Sequence, residues 1–427
     1  MQGITPGRVQ VLGVGARVSP SARLPEPWTL SWSDGPCTWA GVGLSAVLRA
    51  PSHGPLLDAV GRAEVLVEAD GPVPPAPWFG GFAFDATAPI DRWWEAFPPA
   101  WAFVPRLLLG SDGRSAQLIA FAPVGDEGLT GARERASAVL QQARTTLLER
   151  VTAPPAAAPP RSVSLRPQDR AAWGALVSEA LAAFDTGHLR KVVLARAIEL
   201  EANRSFELPA VRERMRAMAG PAVGYELRAD DGTTLLGASP ERLFTLEAGR
   251  LETQALASSA APGELERLTR GHKEAREHAA VVESIRAALL PLSTEVDIGA
   301  APEPLALGYV SHLHTPVRAR LRPGIGPGDV VRALHPTAAV GGTPRDEALA
   351  FLRSHERLAR GWYAGAIGWF GPDRADLRVA LRCALVRGPV ARLFSGAGCV
   401  PGSTAEGEWA ETAVKARFML RALGMER

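Results

Sequence analysis

Glu408, Glu411 and Lys415 are spaced to share one face of a helix, with Trp409, Thr412, Ala413, Ala416 and Leu420 on another. Paired carboxylates can hold a hard cation, and acidic side chains early in a helix suit its dipole. A solvated face with one salt bridge is the plainer alternative. Just upstream, residues 393–400 read as an apolar strand running into a glycine turn. Gly396 and Gly398 let backbone N–H groups approach an anion there.

Only three of the 47 basic residues are lysine: Lys191, Lys273 and Lys415. Where arginine serves everywhere else, lysine suggests a need for a compact ammonium that can lose its proton. Chance retention is the alternative for any single one. Lys191 opens a strand over residues 191–200 that is apolar on both faces, as in a buried strand. Beside Ala195 and Ala197, desolvation would lower the pKa of its amine and make it a usable base near neutral pH. An edge lysine in water competes with that reading. Glu241 sits in a loop stiffened by Pro240, between strands at 233–238 and 243–246. Arg382, read in a strand over 376–386, shares a face with Ala380 and Ala384, which leaves room for a bidentate carboxylate partner.

A long amphipathic helix over 264–290 aligns Glu274, Glu277, His278 and Val281 on one stripe. The helical His-Glu-x-x-His spacing of a zinc site is missing, and carboxylates outnumber softer ligands, so magnesium suits this stripe better. On a lone helix, a solvated face explains it equally.

Several elements must position these groups. Residues 29–32 and 78–85 read as strands, and 106–110 and 116–121 as a hairpin around Asp112 and Gly113. Helices are expected over 132–151, over 167–186 (closed by Gly187) and over 345–359. Residues 250–257 and 305–322 each read as one strand, and 363–370 as a strand of small residues that pairs with 376–386. Trp93, Trp94, Phe97 and Trp101 read as core. The Pro/Ala-rich stretch 153–164 is an extended linker between a scaffold region, 1–152, and a catalytic region, 165–427. The first region is expected to belong to the same compact fold.

At 427 residues the chain can bury a large core, and its net charge of +2, with scattered arginines, offers nothing to a polyanion. No nucleic-acid or membrane partner is expected, since no apolar run is long enough to span a bilayer. The start of the chain does not read as a signal peptide, and three widely spaced cysteines fit a reducing cytoplasm.

These stretches together resemble the chorismate-utilising enzymes, most closely the isochorismate synthases. The matching segments are 191–196, 237–242, 273–278, 335–340, 382–384, 396–400 and 407–415, in the family's order. Residues 79–85 match more loosely and look like the menaquinone-type members. The resemblance implies an α/β (α+β) fold of large antiparallel sheets flanked by helices, like anthranilate synthase component I. It also implies Mg²⁺ on Glu277 and Glu411, with Glu408 close by or acting through water, and the ring carboxylate of chorismate bound to the metal. Arg382, Lys415 and N–H groups around Gly396 and Gly398 would bind the enolpyruvyl carboxylate, with Ser259 and Ala339 also facing substrate. Lys191 would be the base that activates water, and Glu241 the acid that protonates the departing hydroxyl.

Within the family, amine-transferring relatives tend to carry Thr where this chain has Ala339. Segment 255–259 lacks the lysine of enzymes that attack through that side chain. Both features favour water as nucleophile, with no glutamine amidotransferase partner, a monomer, and salicylate synthases matched less well. An ammonia-using anthranilate or aminodeoxychorismate synthase component and a chorismate-binding protein without turnover are the alternatives. Two departures stand out: Ser258 replaces the usual Gly, and Pro262-Gly263 replaces the usual Arg-Gly.

Overall fold

The computed structural model describes residues 9–19, 22–24, 26–69, 78–149, 162–166, 168–260, 265–306 and 311–425. The Pro/Ala-rich stretch at 154–160 and the Pro262-Gly263 departure lie outside the described residues. Helices pack on a network of twenty-one hydrogen-bonded strands among the described residues, nearly all antiparallel, so the fold is the mixed α/β architecture expected. No helix among the described residues is long and apolar enough to cross a membrane.

Strands from both halves of the chain share this network. Trp78–Phe82 lies between Ala100–Ser111 and Ala366–Phe370, and Leu30–Asp34 pairs with Val223–Arg228. An aromatic knot reinforces the join. Phe97 meets Trp94, Trp101 and Trp362 edge-on at centroid distances of 6.0, 6.1 and 5.6 Å, all four rings buried. Edge-to-face packing of this kind adds to what area burial alone supplies.

The strand that begins at Lys191 runs to Ala202, and the next long strand, Val390–Cys399, pairs with it from Val192↔Cys399 to Glu201↔Val390. Both are apolar on both faces because a layer packs on each. The helix Ala405–Ala422 follows after a short turn, its first turn capped by Thr404 Oγ1 accepting from Gly407 N–H at 3.2 Å. The helix Arg170–Asp185 starts three residues later than read and is capped by Asp169, which accepts from Ala172 N–H at 2.9 Å.

Four local readings are corrected. The helix read over 264–290 is two, Leu265–Arg270 and His272–Leu289, because Gly271 takes an extended ψ of 127° and caps the second. Segment 305–322 is not one strand: Glu303–Ala306 folds back antiparallel on Ser311–Leu321. Gly396 and Gly398 lie inside the strand Val390–Cys399 rather than in a turn, paired with Ala195 and Val193. Arg382 is not within a strand either. It lies in the break between Ala375–Val379 and Cys383–Arg387 with φ of +48°, so the face shared with Ala380 and Ala384 does not exist.

A buried ion pair ties the second half together. Arg360 donates to both Glu356 oxygens at 2.6 and 2.8 Å, and also to the carbonyls of Val340 and Val193. Glu356 in turn accepts from Ala195 N–H at 2.8 Å, and both charged side chains are 4% exposed. Removing one partner leaves the other charge buried and uncompensated, which typically costs about 3–5 kcal/mol. Arg360→Ala should therefore lower the urea midpoint markedly, whereas replacing both residues by apolar ones of similar volume should cost far less.

Candidate active site

Most of the residues singled out in the sequence meet in one cleft of about 710 Å³, including its solvent-open part, whereas Glu408 and Glu411 are not among its lining residues. Glu241, Ser259, Glu277, Ala339, Arg382, Gly396, Gly398 and Lys415 all line it. Lys191 stands just behind, 1% exposed, its Nζ 3.1 Å from Glu277 Oε1.

Lys191 comes from the first residue of its strand and points at the helix His272–Leu289. Gly398, on the neighbouring strand, makes this possible. A Cβ there would collide with Glu277 Oε1 and crowd Lys191 Cε at 3.2 Å, so only glycine admits the pair. Glu277 thus stands beside Lys191, a carboxylate partner that the apolar surroundings of the strand did not indicate. Burial would raise the Glu277 carboxyl, but Lys191, a hydrogen bond from Ser258 and the charge of Lys415 together hold it below its usual range.

Glu241 is 4% exposed in the turn between Thr234–Ser239 and Arg242–Glu247. The turn is fixed by Val379 N–H donating to Glu241 O at 3.0 Å and by Glu241 N–H donating to Ser239 Oγ at 3.2 Å. Burial pushes the Glu241 carboxyl up to about 7, against opposing pulls from Thr337 Oγ1 at 3.3 Å and from the charges of Lys191 and Lys415. A carboxyl raised that far keeps a substantial protonated fraction at neutral pH, as a proton donor must.

Arg382 reaches the cleft because its left-handed backbone turns it out of the strand direction. Burial pulls its guanidinium down to about 10, and its Nη2 is buried with no hydrogen-bond acceptor among the described residues. A buried cation without a carboxylate beside it suits an anionic ligand. Gly396 and Gly398 add to this. Val193 and Ala195 direct their N–H groups to Gly341 and Glu356, so the opposing glycines turn theirs away from that strand as well. Lys415 bonds the same edge, donating to Gly396 O at 3.1 Å.

Along the stripe of Glu408, Glu411 and Lys415 only the first is buried, and the other two side chains are 26% and 25% exposed. Glu408 is 2% exposed, and Lys415 Nζ lies 2.7 Å from Glu411 Oε1. Burial works to lower the Lys415 ammonium, but Glu411, Glu277 and Glu408 outweigh it and hold the value above normal. The two acidic segments thus converge on one ammonium. Among the described residues no group of three or more His, Cys, Asp or Glu side chains is close enough to hold a metal. Glu277 and Glu411 are instead each bonded to a lysine. Their donor chemistry, carboxylate oxygen alone, is that of a hard cation such as Mg²⁺.

Other lining residues were not singled out in the sequence. His312 is buried opposite Ser259, its Nδ1 3.1 Å from both Ser259 Oγ and Ser258 O. Burial, then Arg382 and Lys415, lowers its pKa well below the ordinary value, so the ring is neutral. Tyr363 stacks on Phe394 at 5.3 Å and closes one wall. Only strand alternation could have drawn notice to His312, and nothing in the sequence ties it to a partner 53 positions away.

Comparison with known proteins adds to the geometry. Residues 60–424 match the family described as chorismate binding enzyme. The chain is 37% identical to the salicylate biosynthesis isochorismate synthase of Pseudomonas aeruginosa, over 84% of this chain and 76% of that one. It is 31% identical to the isochorismate synthase MenF of Bacillus subtilis, over 82% and 75%. The structure of the menaquinone-specific isochorismate synthase MenF of Escherichia coli superposes with a TM-score of 0.77 at 25% identity, covering 98% of this chain and 95% of that one. Anthranilate synthase component I of Streptococcus pneumoniae shares the fold, with a TM-score of 0.67. With a family match over most of its length and a cleft built for an anion, this chain belongs to the chorismate-binding enzymes.

Proposed function

We propose that the protein is an isochorismate synthase: it adds water to the ring of chorismate, shifts the double bond and expels the ring hydroxyl, an isomerisation that depends on Mg²⁺. The observation that carries this reading is Glu241, a carboxylic acid held protonated to about 7 in the same cleft as an unpaired arginine. Hydroxide leaves poorly unless a proton arrives as the bond breaks, and Glu241 is placed to supply it. Lys191 takes the proton from the attacking water. Each contribution of this kind is typically worth roughly 10²–10⁴ in rate.

Arg382 and the outward N–H groups of Gly396 and Gly398 bind one carboxylate of the dianion, with Lys415 adding positive charge. Glu277, Glu411 and Glu408 would hold Mg²⁺ and through it the other carboxylate. A bound Mg²⁺ would supply positive charge to answer Glu277, which Lys191 answers in this structure. Water rather than ammonia is supported by Ala339, whose side chain offers no hydroxyl to the cleft. The likeness to the menaquinone-specific enzyme over 98% of the chain supports menaquinone as the destination of the product. The relative named for salicylate biosynthesis supports a second destination, and deleting the gene should show which metabolite disappears.

Pure protein given chorismate and Mg²⁺, without ammonia, should yield isochorismate by chromatography; anthranilate, salicylate or no product would overturn the reading. Lys191→Ala and Glu241→Gln should each lose roughly 10²–10⁴ in kcat with the circular dichroism spectrum unchanged. The pH profile carries a sign. A carboxyl raised to about 7 donates below that pH and is ionised above it, so kcat/KM should fall as pH rises through about 7. Arg382→Met should abolish chorismate binding in calorimetry yet raise the unfolding temperature of the ligand-free protein, since an uncompensated buried cation is removed.

A further inference from the structure

Ser258 departs from the family pattern, and its surroundings indicate what the departure does. It is the bulge residue of the strand Arg250–Ala260, where pairing with Ser311–Leu321 skips from Ala257 to Ser259. Its φ is +60°, the left-handed region in which a Cβ crowds the carbonyl oxygen and glycine is the usual occupant. The side chain is 4% exposed, with its Oγ 2.8 Å from Glu277 Oε2 and 2.9 Å from Glu274 O. One hydroxyl has one proton to give, and the ionised carboxylate is the stronger acceptor. The other oxygen, Glu277 Oε1, faces Lys191 Nζ at 3.1 Å. The two oxygens of Glu277 are thus unequal: one is tethered to the sheet, the other turned toward positive charge.

We propose that Ser258 is a positioning residue for Glu277, pinning Oε2 so that the carboxylate offers Oε1 to a cation. In this structure the cation is the Lys191 ammonium, and Mg²⁺ would be held by the same carboxylate. The proposal rests on the metal role given to Glu277 above. A glycine would relieve the backbone but leave Glu277 held through Lys191 alone, so the serine exchanges local strain for a carboxylate fixed at both oxygens. Loss of a group that orients a metal ligand typically weakens metal affinity about 10–100-fold.

Calorimetric titration of Mg²⁺ into the parent protein, Ser258→Ala and Ser258→Gly tests this without turnover. Both variants should bind Mg²⁺ at least about tenfold more weakly. The glycine variant should unfold at the parent's temperature or above it, because its backbone suits φ of +60°. Weaker binding in a variant that is no less stable cannot come from general loosening. Equal Mg²⁺ affinity in parent and glycine variant overturns the proposal, and so does a parent that takes up no Mg²⁺. Failure of the proposed reaction would show separately, as a parent protein that makes no isochorismate whatever its metal affinity.

Discussion

Charge cancellation among ionisable groups gathered at one cleft is the constraint on which the remaining structure depends. Lys191, Glu241, Glu277, Arg382 and Lys415 lie in or directly behind the same cleft, and each would cost several kcal/mol to bury as an isolated ion. The chain meets this in three ways. Lys191 and Lys415 are paired with Glu277 and Glu411. Glu241 sheds part of its charge near neutral pH, its carboxyl raised to about 7 by the same burial that forces pairing elsewhere. Arg382 remains, a guanidinium lowered to about 10 by desolvation, its Nη2 without an acceptor among the described residues. The asymmetry decides what enters: a carboxylate gains an ion pair that no protein group supplies, whereas a cation would meet uncompensated repulsion.

Holding that balance requires rigid supports, because a displacement of an ångström changes which pairs form. The Lys191–Ala202 and Val390–Cys399 strands are paired along nearly their full length, which fixes Lys191 against Gly398. The Arg360–Glu356 pair reaches from the backbone of Val193 and Ala195 to Val340, linking this strand to the loop that carries Ala339. His335 fastens the loop from its other end, with Nε2 3.2 and 3.1 Å from the carbonyl oxygens of Ala83 and Phe84. Residues before the linker therefore support the cleft without lining it. Their strands complete the sheet, and their aromatic rings pack against Trp362, next to the cleft residue Tyr363.

Much of this could be read from residue types, and the failures have physical causes. Two of the three scarce lysines, Lys191 and Lys415, prove to be at the cleft, where a compact ammonium pairs with a carboxylate. Pro240 marked the Glu241 turn because its fixed φ stiffens a loop. Interruptions were harder to see. Gly271 splits an otherwise periodic helix, and residues 305–322 read as one long strand because Leu307, Tyr309 and Val310 between the two arms are themselves strand-type residues. Gly396 and Gly398 looked like a turn since glycine is the commonest turn residue. They are strand residues whose missing side chains make room for Tyr363, Lys191 and Glu277. Contacts such as Ser259 with His312 depend on tertiary register, which no local pattern encodes.

Ser258 and Arg382 share a property that explains why local rules misled at both. Four non-glycine residues among those described have positive φ: Ala248, Ser258, Ala364 and Arg382. Ala248 lies in a hairpin turn beside Gly249, whereas the other three border the cleft or adjoin the cleft residue Tyr363. Left-handed backbone costs an L-residue roughly 1–2 kcal/mol, so strain is concentrated where the chemistry is. At Arg382 it breaks the strand and turns a guanidinium inward, which a regular extended backbone would have aimed along the sheet. At Ser258 it lifts a hydroxyl out of the ladder onto Glu277. Sequence patterns describe unstrained backbone, and a cleft that must gather five ionisable groups from five segments leaves too few unstrained routes to reach them.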